Sequence, residues 1–172
     1  MLTLLLLRHA KSSWDDLSLD DFDRPLAKRG TKAAAAIGSY LIKHALVPDL
    51  VLCSTAVRAR ATLTLVMNEF KDVMPTVVYD DTLYLADAQT LLERLQALKG
   101  HPAVVMLVGH NPGLHAVALE LIRSGPKVNL RTLAMQFPTA ALAQITFDEE
   151  RWSRIAPATG ELVDFVLPRK LS

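Results

Sequence analysis

The stretch LLLLRHAKSSW, residues 4–14, decides the fold. Four successive leucines predict a strand that is buried on both faces, because a strand with one solvent face alternates apolar and polar residues. An arginine and a histidine end this apolar run, and small polar residues follow them. In open α/β sheets, ligands bind beyond the carboxyl ends of the strands. The Arg-His pair is therefore a candidate for a binding site at the edge of a parallel sheet.

The rest of the chain alternates short apolar runs with longer helical patterns. This alternation predicts an α/β domain of three layers, α/β/α, with a mostly parallel central sheet. We predict strands at 2–7, 50–53, 76–79, 103–108, 141–147 and 162–166, and helices at 31–45, 56–70, 87–98 and 114–123. Because no linker, repeat or low-complexity tract divides the 172 residues, we expect one domain with one main core.

The composition argues against several classes of partner and cofactor. A formal net charge of +1 gives no electrostatic signature of nucleic acid or of an anionic membrane, so we expect neither as a partner. The single cysteine, Cys53, forms no internal disulfide, and no Cys/His cluster has the spacing of a zinc site. We therefore expect no metal and a cytoplasmic location. The apolar run at 2–7 is too short to span a membrane, and we interpret it as a strand rather than a signal peptide.

Three of the predicted strands end in residues that suit a phosphate. The first ends at Arg8 and His9, the second leads into a loop and helix that carry Arg58, and the third is followed closely by His110. If these strands are neighbours, two arginines and two histidines converge on one crevice. Guanidinium groups bind phosphate through paired, charge-assisted hydrogen bonds, and a neutral imidazole is a competent nucleophile. Nearby arginines also lower the pKa of an imidazole, which favours this neutral form.

Six motifs in order along the chain resemble one family. They are RHAKSSW (8–14), DRPLAKRG (23–30), STAVRARAT (54–62), VGHNPGL (108–114), FPTAALA (137–143) and LVDFVLPRKL (162–171). Together they resemble the histidine phosphatase superfamily, and within it the SixA-like phosphohistidine phosphatases. The resemblance implies that residues 1–172 form one histidine phosphatase domain with a phosphoglycerate mutase-like fold and without a metal. It also implies a phosphate-bearing substrate, such as a protein that carries phosphohistidine.

The resemblance also implies catalytic roles for four residues. His9 is expected to be the nucleophile that becomes phosphorylated. Arg8 and Arg58 are expected to bind the phosphate, and His110 to donate a hydrogen bond to one of its equatorial oxygens.

Four further residues are expected to bind substrate at the mouth of the pocket: Lys11, Ser12, Arg24 and Asn111. For Asn111, a cap of the helix that follows is the favoured alternative to substrate binding. For Lys11, Ser12 and Arg24, a structural role is an equally good interpretation.

The sequence departs from the family pattern at two places. Thr55 stands where many relatives have a proline. The acidic residue that protonates an alkoxide leaving group in the mutase and phosphomonoesterase branches has no clear counterpart: Asp80 and Asp81 fit a turn, and Asp87 fits a helix N-cap. Because an imidazole leaving group is far less basic than an alkoxide, the lack of an acid favours phosphohistidine as substrate.

Other functions compete with this hypothesis. A phosphomonoesterase for a small phosphorylated metabolite and a catalytically silent phosphate-binding module both remain alternatives. A cysteine-dependent phosphatase needs five residues between its cysteine and its arginine, whereas four separate Cys53 from Arg58. We therefore interpret Cys53 as a buried structural residue.

Overall fold

The computed structural model describes residues 1–171, and within this range it contains seven strands and five α-helices. The strands are β1 (Leu2–Arg8), β2 (Leu50–Ser54), β3 (Thr76–Asp80), β4 (Val104–Gly109), β5 (Ile122–Ser124), β6 (Leu142–Phe147) and β7 (Gly160–Val166). The helices are α1 (Lys28–Lys43), α2 (Val57–Asn68), α3 (Ala88–Gln96), α4 (Gly113–Leu121) and α5 (Lys127–Met135). Short 3₁₀ helices occur at Asp21–Asp23, Asp81–Leu83, Trp152–Arg154 and Pro168–Lys170.

All seven strands of the described chain form one sheet, in the order β3-β2-β4-β1-β6-β7-β5. Only β6 runs antiparallel to its two neighbours, and the other pairs are parallel. The predicted α/β class with a mostly parallel sheet is therefore confirmed.

In place of the one main core that was expected, the buried residues form two cores, one on each face of the sheet, and the leucine run of β1 contributes to both. Leu4 and Leu6 pack into the core under α3 and α4, whereas Leu5 and Leu7 pack into the core under α1 and α2. All four side chains are fully buried, and each contributes about 2 kcal/mol of burial free energy. Successive side chains of a strand point to opposite faces, so a strand covered on both faces requires an unbroken apolar run. This requirement explains the run and the three-layer architecture together.

The strand order brings the three candidate strand ends together. β4 lies between β1 and β2, with Arg8 opposite Gly109 and Cys53 opposite Val108. These strands are parallel, so their carboxyl ends meet at one edge of the sheet, where α2 and α4 begin. The structure thus has the arrangement on which the predicted crevice depends.

Two elements were absent from the sequence prediction. The helix predicted at 114–123 ends at Leu121, and the chain continues directly into the short edge strand β5. Helix α5 follows, and Leu133 is its one buried residue, so burial in the core contributes little to its formation. Within residues 1–171, no helix has the length and apolar character needed to cross a membrane.

Candidate active site

A cavity of about 210 Å³ opens at the edge of the sheet where β1, β2 and β4 end. Eleven residues line it: Arg8, His9, Lys11, Ser12, Trp14, Arg24, Arg58, Leu85, His110, Asn111 and Thr139. All eight residues that the sequence predicted for the site are among them. We call this cavity the phosphate pocket.

His9 is held at both its backbone and its ring. Its N–H donates to the Gly109 carbonyl at 3.1 Å, and its carbonyl accepts from the Ala140 N–H at 3.0 Å. The ring Nδ1 lies 2.8 Å from the Ala10 carbonyl oxygen. A carbonyl can only accept, so Nδ1 carries the ring hydrogen and the neutral ring has its lone pair on Nε2. This Nε2 lies 3.4 Å from Nε of Arg58, among the cationic residues of the pocket.

The surroundings of His9 keep its ring uncharged. Burial, with a smaller contribution from the guanidinium groups of Arg58, Arg8 and Arg24, lowers its pKa to about 4, against the opposing effect of the bond to Ala10. The sequence predicted a lowered pKa caused by the arginines. The direction is the same in the structure, but burial is the larger cause. At neutral pH Nε2 therefore carries a lone pair, which accepts a long hydrogen bond from Nε of Arg58 at 3.4 Å.

His110 lies beside His9, with 5.2 Å between the ring centroids. Burial, reinforced by His9 and Arg58, lowers its pKa to about 3. Its Nε2 lies 2.7 Å from the Ser54 hydroxyl oxygen, which itself accepts from the Ala56 N–H at 3.3 Å. A hydroxyl that donates its hydrogen to Nε2 leaves the ring hydrogen of His110 on Nδ1. This Nδ1 is buried and has no partner in the described chain, so it is a donor available to a bound anion.

Arg58 is oriented by Asp21, which the sequence analysis did not select. Nη1 of Arg58 donates to the Asp21 carbonyl at 2.6 Å, and Nη2 donates to Oδ2 of Asp21 at 2.9 Å. The Asp21 carboxylate also accepts from the Tyr84 hydroxyl and, at 3.1 Å, from Nη2 of Arg24. The bond from Tyr84, followed by those from the two arginines, lowers the pKa of Asp21 to about 2, so it is ionised at neutral pH.

Arg8 and Arg24 complete the cationic wall of the pocket. Nη1 of Arg8 donates to the Phe137 carbonyl at 3.0 Å. The Arg24 guanidinium carbon lies 3.6 Å from the centroid of the Trp14 ring. Three nitrogens of these two arginines, Nε of Arg8 and Nε and Nη1 of Arg24, are buried without a partner in the described residues. Leaving such a donor unsatisfied costs about 1–3 kcal/mol, and an oxyanion, which only accepts, would satisfy it.

The remaining predicted residues form the mouth of the pocket. Asn111 lines the cavity, and its Oδ1 accepts from the His115 N–H at 3.3 Å in the first turn of α4. Ser12 is buried and pairs through its backbone with Leu26, and Lys11 is half-buried. These residues line the space between the arginines and solvent.

Comparisons with known proteins identify the family of the chain. Residues 4–84 match the sequence model of the histidine phosphatase superfamily, branch 1. A proposed phosphohistidine phosphatase SixA from Agrobacterium tumefaciens is 32% identical, and its structure superposes with a TM-score of 0.81 over 97% of this chain and 98% of that one. The chain belongs to the histidine phosphatase superfamily.

Two further relatives span almost the whole histidine phosphatase chain. A proposed SixA from Nakamurella multipartitia is 30% identical, with a TM-score of 0.81 over 97% of this chain and 96% of that one. An uncharacterized protein of Mycobacterium leprae is 35% identical over 95% of this chain and 100% of that protein. This histidine phosphatase has the phosphoglycerate mutase-like α/β fold that the sequence predicted, and it is a hydrolase of the phosphatase class.

The three candidate general acids of the histidine phosphatase have other partners. Asp80 accepts from Thr82 and pairs with Arg94 at 2.6 Å, and Asp81 accepts from the Thr55 hydroxyl. Asp87 caps α3 by accepting from the Thr90 N–H at 2.9 Å. None of these three carboxylates lines the phosphate pocket. The turn and N-cap interpretations therefore describe the observed contacts.

Cys53 is fully buried in the core under α1 and α2. Burial raises the pKa of its thiol to about 12, so the thiolate that a cysteine-dependent phosphatase requires is disfavoured.

Within residues 1–171, no group of three or more His, Cys, Asp or Glu side chains is arranged to hold a metal ion.

Ser54, Asp21 and Tyr84 are the contacts that the sequence analysis missed. Ser54 carried a readable signal, because it ends β2 inside the motif STAVRARAT at the predicted sheet edge. Asp21 lies in an acidic run, DDFD (20–23), that is typical of a solvated loop, and no local pattern marks Tyr84.

Proposed function

We propose that this histidine phosphatase hydrolyses phosphohistidine in a protein through a covalent phosphoryl intermediate on His9. The observation that carries the proposal is the set of four buried nitrogens without partners, on Arg8, Arg24 and His110, around the His9 ring. Elsewhere in residues 1–171, buried side-chain nitrogens and oxygens have hydrogen-bond partners. Donors concentrated in this way suit the oxygens of a phosphoryl group, whose transfer depends mainly on positioning and on positive charge.

His9 is the proposed nucleophile because the lone pair of its neutral ring is on Nε2, the nitrogen beside Arg58. The Nδ1–H bond to Ala10 fixes the ring, and the neutral Nε2 lies beside Arg58. In the first step the bond between phosphorus and Nε2 forms while the bond between phosphorus and the substrate imidazole breaks. Water then attacks phosphorus, the bond to Nε2 breaks, and inorganic phosphate leaves. Arg8, Arg24, Arg58 and the Nδ1–H of His110 would hold the phosphoryl oxygens through both steps.

The choice of phosphohistidine as the substrate rests on the lack of a protonated carboxyl group among the described residues at the phosphate pocket. The residues that line the phosphate pocket include no Asp or Glu, and Asp21, which contacts Arg58 from outside, has a pKa of about 2. No carboxyl group at the pocket is therefore protonated at neutral pH to give a proton to a leaving alkoxide. An imidazole protonated on its distal nitrogen leaves as a neutral molecule and requires no such proton.

The test compares three substrates: a phosphohistidine peptide, an aryl phosphate and an alkyl phosphate. We expect the wild type to hydrolyse the peptide at least about a hundredfold faster than the alkyl phosphate, a preference that reflects the basicity of the leaving group. The His9→Ala variant should lose activity on all substrates, and His110→Ala should be strongly impaired. His101→Ala, a change in an exposed loop, is the matched control and should retain full activity.

Mass spectrometry of the protein quenched in alkali during turnover should detect a phosphoryl group on the peptide that contains His9. A catalytically silent binding module would give no such adduct. Activity that survives His9→Ala would refute the mechanism. Efficient hydrolysis of the alkyl phosphate, with the phosphohistidine peptide left intact, would show instead that the substrate is a small phosphomonoester.

A further inference from the structure

A second and larger cavity, of about 590 Å³, lies next to the phosphate pocket. Its lining residues come from four segments: Lys11, then Arg29, Lys32, Ala33 and Ala36 of α1, then Pro138 and Thr139, and finally Leu167, Pro168 and Arg169. Lys11 and Thr139 line both cavities, so the two spaces adjoin each other. We call the larger one the basic groove.

One face of α1 forms a wall of the basic groove. Residues 29, 32, 33 and 36 are spaced by three and four positions, so they lie on the same face of the helix. A close approach at Gly30 holds this face beside the phosphate pocket, because a Cβ at Gly30 would overlap the backbone carbonyl of Lys11. The helix and the loop that follows the proposed nucleophile are thus fixed against each other.

The basic groove has a cationic rim and an apolar floor. Lys11, Arg29, Lys32 and Arg169 contribute cationic side chains, and none of the lining residues is an Asp or a Glu. The alanines of α1 and the buried Leu167 contribute apolar surface. Anionic groups attached to an apolar or aliphatic chain have the complementary chemistry.

We propose that the basic groove binds an acidic segment of the phosphoprotein substrate while the adjacent phosphohistidine enters the phosphate pocket. This proposal rests on the proposed function. From residue 29 to residue 36, α1 rises about 10 Å, which matches about three residues of an extended chain. Trp14 and Leu85 line the phosphate pocket and are 61% and 53% exposed, so apolar side chains are also accessible to the substrate protein beside the cationic ones.

The experiment uses two phosphohistidine peptides of equal length. One has three glutamates beside the phosphohistidine, and the other has three glutamines at the same positions. The readout is the ratio of kcat/KM for the glutamate peptide to that for the glutamine peptide, measured at low and at high salt. The variants are the double substitution Arg29→Gln with Lys32→Gln and, as the control, Lys99→Gln. Lys99 is exposed and lies just before β4, at the opposite edge of the sheet from the phosphate pocket.

We expect the wild type and Lys99→Gln to prefer the glutamate peptide about tenfold at low salt, the combined effect of a few exposed charge pairs. High salt should reduce this preference, and the double substitution should reduce it to less than about threefold. Lys11 is left unchanged because it also lines the phosphate pocket.

Three results would overturn the inference. If the wild type hydrolyses both peptides equally well, the basic groove does not bind acidic segments, while the proposed function stands. If the double variant keeps the full preference, the acidic segment binds elsewhere. If the wild type leaves both peptides intact, and the double substitution lowers its activity on a small phosphorylated carboxylic acid, the groove serves a metabolite and both proposals fail.

Discussion

The two buried histidines of the phosphate pocket predict an unusual loss of stability in mild acid. His9 and His110 are 6% and 2% exposed, with pKa values lowered to about 4 and about 3, whereas an unfolded histidine titrates near its ordinary value of about 6.5. Between these values the unfolded chain binds protons that the folded chain does not. Stability from these two groups is therefore complete at pH above about 7.5 and decreases as the pH falls toward 4.

The size of the effect follows from the interval between the ordinary pKa and the pH of measurement. A pH of 5 is about 1.5 units below the pKa of an unfolded histidine, so the unfolded rings are protonated. Both folded histidines remain almost entirely neutral at this pH. At about 1.36 kcal/mol per unit, each histidine then lowers the free energy of unfolding by about 2 kcal/mol relative to pH 7 or above. Together they remove about 4 kcal/mol, a large share of the 5–15 kcal/mol that is typical of a domain.

The assay is urea unfolding at pH 7.5 and at pH 5, at fixed ionic strength and without phosphate, because a bound anion would stabilise the folded state. The wild type is compared with His9→Asn and His110→Gln, which carry one titrating ring fewer. Carboxylates and the other histidines contribute equally to all three proteins. Each variant should therefore lose about 2 kcal/mol less than the wild type between the two pH values. An equal loss in all three proteins would show that the folded rings titrate normally, and the neutral nucleophile would have no basis.

Three further predictions concern individual residues. Asp21→Asn should lower kcat/KM for an aryl phosphate about tenfold, because Arg58 loses a charge-assisted partner, and an unchanged circular dichroism spectrum would exclude unfolding as the cause. Cys53→Ser should keep kcat/KM within about twofold of the wild type, because the buried thiol lines neither cavity; a large loss would revive a role for sulfur. Gly113→Ala should lower stability by about 2 kcal/mol in thermal unfolding, because its Cβ would overlap the carbonyl oxygen of Ala86. An unchanged midpoint would show that the loop before α3 moves aside without cost.

The parts of the fold that could be predicted are those fixed by local pattern. The leucine run of β1 could be predicted to form a strand, because a strand that is buried on both faces requires an unbroken apolar run. Strand β5 and helix α5 give a weaker signal, since β5 is three residues long at the edge of the sheet and α5 buries one side chain, Leu133. Both elements contact β7, which is distant in the sequence, and the local sequence does not encode those contacts.

The predicted site residues likewise follow a local pattern, whereas the missed ones depend on contacts between distant parts of the chain. Arg8, His9 and His110 follow directly on strand ends, so the sheet topology places them together. Asp21 and Tyr84 lie in connecting segments, at the start of a short 3₁₀ helix and in a turn, and the contacts of Asp21 with Arg58 and with Tyr84 join positions 37 and 63 residues apart. Closure of such loops depends on the whole fold, and an acidic run in a loop resembles an ordinary solvated segment.

The position of Asp21 meets two requirements of the phosphate pocket: the repulsion between its arginines is reduced, and their donors stay available to phosphate. Three arginines in one small cavity repel each other, and a carboxylate among them would relieve the repulsion but compete with the phosphate. Asp21 instead contacts Nη atoms of Arg58 and Arg24, while Nε and Nη1 of Arg24 remain without a partner and Nε of Arg58 stays beside Nε2 of His9. The counter-charge thus orients the guanidinium groups and leaves donors on the side of the nucleophile. Because Asp21 is ionised and the imidazoles are neutral at pH 7, the pocket supplies positive charge and a lone pair but no acidic proton. Such a pocket suits a leaving group that can depart without one.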